Sequence, residues 1–318
     1  MLTFFLLLLG FVFLIKGAEL LVYGASSIAL RLNVSSLVIG LTVVAFGTSA
    51  PELFISVYAA VNGNPEIAIS NILGSNMANI FLILGITAMM SPLIFQHNTT
   101  FKEIPFSLLA VLVLGLLVND TWINKGDMNM ISRMDGLILL FFFIFFFLYI
   151  IDVARNGNHQ KTEKVQYISW FRSVLFVCLG LAGLILGGQW IVDGAVVIAA
   201  NFQVSQSLIG LTIVAIGTSL PELATTIAAA RKNNVDMAIG NVIGSNIFNV
   251  LLILGITATV RPVPFPSTSY SDLIITMLSS FLLFVFVYSG NRHVLQRWHG
   301  GLFIIIYISY ILYKIYQG

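Results

Sequence analysis

The chain has 318 residues, 58% hydrophobic and only 9% charged, with a net charge of +2. Soluble domains run near a quarter charged, so this chain lacks the charge to cover a water-facing surface, and lipid must cover most of it. The 15 Lys and Arg are scattered, which excludes a nucleic-acid footprint. The single cysteine, Cys178, excludes an internal disulfide or a multi-cysteine metal site and reads as a small core hydrophobe.

Apolar runs of the length that crosses about 30 Å of hydrocarbon recur along the chain. Taken in order they cover roughly 2–30, 34–61, 65–91, 103–119, 132–152, 170–200, 204–230, 235–260, 270–289 and 299–316. No basic residue precedes the first run and no clear small-residue cleavage pattern follows it, so Met1 to Ile15 reads as a membrane helix rather than a signal peptide. Within that span Lys16 and Glu19 are three apart and placed to pair on one face. The longest polar stretch, Asp152 to Gln166, divides the spans five and five. The expected fold is an all-α polytopic membrane protein of ten transmembrane helices: a first five-helix repeat (1–152), a cytoplasmic linker (153–169) and a second, inverted five-helix repeat (170–318). With both termini extracytoplasmic, the inner segments carry ten Lys and Arg and the outer ones four, which favours that orientation in a plasma (inner) membrane.

A shift of 170 residues aligns the halves without a gap from about Gly24 to Pro92. Gly40 to Glu52 matches Gly210 to Glu222 with ten of 13 positions identical, and Asn71 to Thr87 matches Asn241 to Thr257. Five spans per half is an odd number, so the second copy enters the membrane from the opposite side. Such inverted repeats are typical of secondary transporters.

The chemistry concentrates in Gly47-Thr48-Ser49-Ala50-Pro51-Glu52, mid-span, and in its copy from Gly217 to Glu222. Proline frees a carbonyl one turn back, and interrupted spans at matching places in two halves mark a transport site. An ionised carboxylate at the bilayer centre costs at least ~2.5 kcal/mol, and no basic residue lies near Glu52 or Glu222 in sequence. Together they supply the charge that neutralises one divalent cation, and Ca2+ needs six to eight oxygens. Helical spacing places Thr48 and Ser49 beside Glu52, and Ser75 with Asn79; Thr218, Ser219, Ser245 and Asn249 repeat the set. These are hard oxygen donors without His or Cys, which argues against Zn and Cu. Gly24, Gly40, Gly74 and Gly85 are expected to permit close helix contact.

The duplicated G-T-S-x-P-E and G-S-N-x-x-N blocks resemble the alpha repeats of the Ca2+/cation antiporter superfamily, and within it the chain is similar to the prokaryotic Na+/Ca2+ exchangers. The proton-coupled branch typically carries G-N-A-x-E at the first block. The resemblance implies Na+/Ca2+ antiport by alternating access, with Ca2+ and Na+ as substrates and no cofactor. It implies Ca2+ at Glu52, Glu222 and the Thr48 and Thr218 carbonyls. Na+ would sit at Ser49, Ser75, Ser219, Ser245 and the carbonyls of Ala45 and Ala215. The family places Asn or Asp at positions 79 and 249; here both are Asn. H+-coupled Ca2+ exchange is the alternative, and a passive cation channel and an intramembrane hydrolase are the other classes weighed. The hydrolase lacks a His or Ser-Lys pairing in these blocks. No obligate protein partner is evident.

Overall fold

The computed structural model describes residues 2–119, 129–156, 168–201, 215–289 and 293–317. Among these residues, eight helices are long and apolar enough to cross a membrane, and one bent pair makes a further span. In chain order they are α1 (Thr3–Leu32), the bent pair α2 (Ser36–Thr48) and α3 (Ala50–Val61), α4 (Ile67–Met90), α5 (Thr99–Leu117), α6 (Arg133–Arg155) and α7 (Trp170–Ala199). Short α8 (Ala215–Thr218) and α9 (Leu220–Arg231) follow, then α10 (Val235–Val260), α11 (Ser269–Ser289) and α12 (Arg297–Tyr316). The boundaries read from apolar runs hold to within a few residues. The part of the seventh expected span up to 214 and the linker residues 157–167 lie outside the described residues.

Local chemistry sets the helix ends. Ser35 accepts from the Val38 N–H at 3.3 Å to start α2, and Asn234 accepts from Met237 in the same way to start α10. Pro51 and Pro221 sit in the first turns of α3 and α9, where a missing N–H costs nothing. They therefore begin new helices rather than kink old ones.

The layers follow from burial. The most apolar 18-residue stretches of α4 and α10 are 78% and 89% buried, against 17% for α6, so α4 and α10 form the centre and α6 faces outward. Both central helices widen into π-helical turns, Ala78–Leu84 and Phe248–Ile253, a distortion that often accompanies functional sites. Two short antiparallel ladders join loops: Leu93–Ile94 with Val294–Leu295, and Met130–Ile131 with Val263–Pro264.

Helices α1 and α7 pack backbone to backbone. A Cβ built on Gly180 would lie 2.6 Å from Leu21 N, one on Gly187 2.7 Å from Gly10 O, and one on Gly24 2.7 Å from Ser173 O. Gly40 meets Met237 of α10 as closely, whereas Gly74 has nothing within 4 Å, so the expected close contact is absent there. Cys178 is exposed on α7 rather than in the core, because the small residues of that helix take the inner face and leave the thiol outside. Lys16 Nζ and Glu19 Oε2 do pair, at 2.8 Å.

Candidate functional site

Glu52 and Glu222, from the first turns of α3 and α9, are each 1% exposed. Thr48, Ser49, Ser75, Asn79, Thr218, Ser219, Ser245 and Asn249 are all buried around them. The 44° bend between α2 and α3 centres on Ser49, whose φ of −84° and ψ of 7° interrupt the helix; Ser219 does the same before α9, at −87° and 2°.

That break alters what spacing alone implies. Ser49 Oγ does not turn to Glu52 of its own half; it donates to Glu222 Oε1 at 2.9 Å. Thr48 lies against Glu222, and Thr218 against Glu52. Helical i,i+4 logic fails here because the helix ends between the two residues. Ser75 Oγ to Glu52 Oε1 and Ser245 Oγ to Glu222 Oε1, both 3.4 Å, stay within their own halves. The Ala45 carbonyl accepts from Ser49 N at 3.0 Å and from Thr48 Oγ1 at 3.3 Å. Ala215, the repeat partner of Ala45, is the first described residue of α8.

The electrostatics are unbalanced in one direction. Among the described residues neither glutamate has a basic partner, and no cluster of three or more His, Cys, Asp or Glu exists. Five buried oxygens of the expected set have no hydrogen-bond donor: Glu52 Oε2, Glu222 Oε2, Asn79 Oδ1, Asn249 Oδ1 and Ser219 Oγ. Buried carboxylates without partners are costly, and an acceptor-rich, donor-poor cavity is what a hard cation compensates.

Four asparagines are absent from the expected set. Asn71 Nδ2 donates to Ser56 Oγ at 3.2 Å and the Glu52 carbonyl at 3.5 Å, while its Oδ1 lies 3.5 Å from Thr218 Oγ1. Asn241 makes the matching contacts to Thr226 Oγ1 at 3.0 Å, the Glu222 carbonyl at 3.4 Å and Thr48 Oγ1 at 3.1 Å. Each bridges the two halves behind a glutamate. Asn76 and Asn246 cross-bond with Asn249 and Asn79. Their identity in both copies of the repeat was the signal that could have found them.

The model of a family described as sodium/calcium exchanger protein matches residues 2–151 and 172–316. The chain is 36% identical over 315 residues to the putative antiporter CaxA of Alkalimonas amylolytica, covering 95% of each. It is 31% identical to the sodium/calcium exchanger MaX1 of Methanosarcina acetivorans over 348 aligned positions, covering 99% of each. A solved structure of the sodium-calcium exchanger NCX_Mj, soaked with zero Na+ and Ca2+, is similar with a TM-score of 0.83 at 35% identity, over 98% of this chain and 99% of that one.

Proposed function

The chain belongs to the sodium/calcium exchanger protein family, and from that premise we propose that it exchanges Ca2+ for Na+ across the bilayer at the site between Glu52 and Glu222. The observation that carries this reading is the pair of buried carboxylates, one from each half, each keeping an oxygen without a donor and with no basic neighbour among the described residues. Two carboxylates neutralise one Ca2+. The Thr48 and Thr218 carbonyls complete its shell. Na+ occupies overlapping positions at Ser49, Ser75, Ser219, Ser245 and the Ala45 and Ala215 carbonyls, with Asn79 and Asn249 adding oxygens, so the ions load alternately. An empty, doubly negative site resists closing into a dry barrier, which limits uncoupled leak.

The wider architecture of this reading has ten helices in two inverted repeats, 1–152 and 170–318, joined by a cytoplasmic linker at 153–169, with both termini extracytoplasmic. The duplicated motifs and the paired interhalf contacts support it. Under an inward Na+ gradient the net movement is Ca2+ export.

The test is 45Ca2+ uptake into Na+-loaded proteoliposomes by wild type, Glu52→Gln and Glu222→Gln. Uptake that requires internal Na+ and disappears in both variants is expected. Uptake that ignores Na+ and follows a pH gradient would reassign the protein to proton-coupled exchange. Normal transport by the variants would sink the site.

A further inference from the structure

Asn76 and Asn246 take no part in the cation shell described above, yet they are 0% and 2% exposed at its back. Asn76 Nδ2 donates to the Asn246 backbone carbonyl at 3.2 Å, and Asn246 Nδ2 donates to the Asn76 backbone carbonyl at 3.4 Å. A backbone carbonyl can only accept. Each of these contacts therefore fixes which end of the side-chain amide is NH2, and leaves the Oδ1 of Asn76 and of Asn246 as acceptors. Into those acceptors run the amides of the next residues along. Asn249 Nδ2 donates to Asn76 Oδ1 at 3.0 Å, and Asn79 Nδ2 donates to Asn246 Oδ1 at 2.9 Å. The NH2 ends of Asn79 and Asn249 are thus held, and their carbonyl oxygens are the ends left buried without a partner.

We infer that Asn76 and Asn246 are positioning residues that orient the amides of Asn249 and Asn79, so that the cation site is offered carbonyl oxygen and never N–H. This rests on the reading of Asn79 and Asn249 as cation ligands. The two ends of an amide are nearly identical in shape but opposite in polarity. A flipped Asn249 would aim a positive N–H dipole at the ion, and packing alone does not prevent the flip. A chain of hydrogen bonds that starts from a backbone carbonyl does. The control crosses between halves, since Asn76 of α4 orients Asn249 of α10, and Asn246 of α10 orients Asn79 of α4.

Double variants separate orientation of the amide from support of the fold. Asp at position 249 has two equivalent oxygens, so it needs no orienting partner. It would also face Asn76 Oδ1, acceptor against acceptor. Removing Asn76 should therefore harm the wild type and not the Asn249→Asp protein.

The experiment compares wild type, Asn76→Ala, Asn249→Asp and the double variant. Ca2+ affinity is read from the Ca2+-induced rise in melting temperature in detergent, which does not depend on the coupling ion, alongside the KM and kcat of Ca2+ uptake. Asn76→Ala is expected to weaken Ca2+ binding about tenfold, the scale of one buried neutral hydrogen bond, with KM moving more than kcat. In the Asn249→Asp background the same substitution should leave affinity unchanged or improve it. Equal loss in both backgrounds would mean that Asn76 only holds the fold, and no loss in either would mean that Asn249 is oriented by something else; each overturns the inference. If Asn76→Ala does not yield folded protein, Asn246→Ala with and without Asn79→Asp poses the same question from the other half. Wild type that binds Ca2+ but shows no Na+-driven uptake defeats the exchanger reading alone, and leaves the affinity comparison able to decide this one.

Discussion

Gly180→Ala is the smallest change that tests how α1 and α7 are joined. The added Cβ would sit 2.6 Å from Leu21 N and 2.8 Å from Gly17 O, where ordinary contact begins at 3.4 Å. Both neighbours are backbone, so no side-chain rotation relieves the clash. The helices must part by about 0.8 Å, a gap that forfeits a quarter to a half of the dispersion energy of the atom pairs involved. Overpacking of this kind costs about 1–3 kcal/mol. Gly301→Ala in α12 is the internal control, because nothing lies within 4 Å of its built Cβ and alanine gains up to about 1 kcal/mol of helix propensity over glycine. Thermal unfolding in detergent is the assay. Gly180→Ala brings the same propensity gain, so the clash is read as the difference between the two variants: at roughly 2 °C per kcal/mol for a chain of this length, Gly180→Ala should melt about 2–6 °C below Gly301→Ala. A Gly180→Ala protein that melts with Gly301→Ala would refute the backbone-to-backbone contact.

Other outcomes follow from the same geometry. Lys314 pairs with Asp272 at 3.0 Å, with side chains 17% and 14% exposed. Lys314→Met leaves Asp272 with the Tyr310 hydroxyl but no positive partner and should lower stability by about 1–3 kcal/mol, and Lys314→Met with Asp272→Asn should recover much of it in a double-mutant cycle. Ser49→Ala removes the hydroxyl bound to Glu222 Oε1, and should weaken Ca2+ binding more than Ser219→Ala, whose hydroxyl donates to nothing in the structure; Ca2+-induced melting shifts rank the two. A phosphatase reporter fused after Gly318 should be active if the C-terminus is extracytoplasmic, and an inactive reporter would reverse the proposed orientation.

Most of the helix pattern was legible in the sequence, because crossing a bilayer demands long apolar runs and the breaks at Ser49 and Ser219 are announced by Gly, Ser and Pro. The glutamates stood out because a carboxylate within an apolar span has few innocent explanations, and both are buried. What spacing could not show was the other half of each contact. Ser49 reads as a neighbour of Glu52 on any helical wheel, yet the broken backbone sends its hydroxyl to Glu222. Asn76 lies three residues before Asn79 in the duplicated G-S-N-x-x-N block, but nothing local shows that its partners lie 170 and 173 residues away. Cys178 was misplaced for a related reason. In a membrane helix an apolar residue is as suited to lipid as to the core, so hydrophobicity alone does not assign a face.

The crossed bonding of the two repeat copies constrains how this chain can change over generations. Asn76 serves Asn249, and Asn246 serves Asn79; Ser49 serves Glu222. A substitution in one copy is therefore felt first in the other, and drift in either is checked by a partner encoded far downstream. Duplication ordinarily frees one copy to diverge. Here each contact joins residues about 170 positions apart, so a substitution in one copy leaves a partner in the other that has to accommodate it.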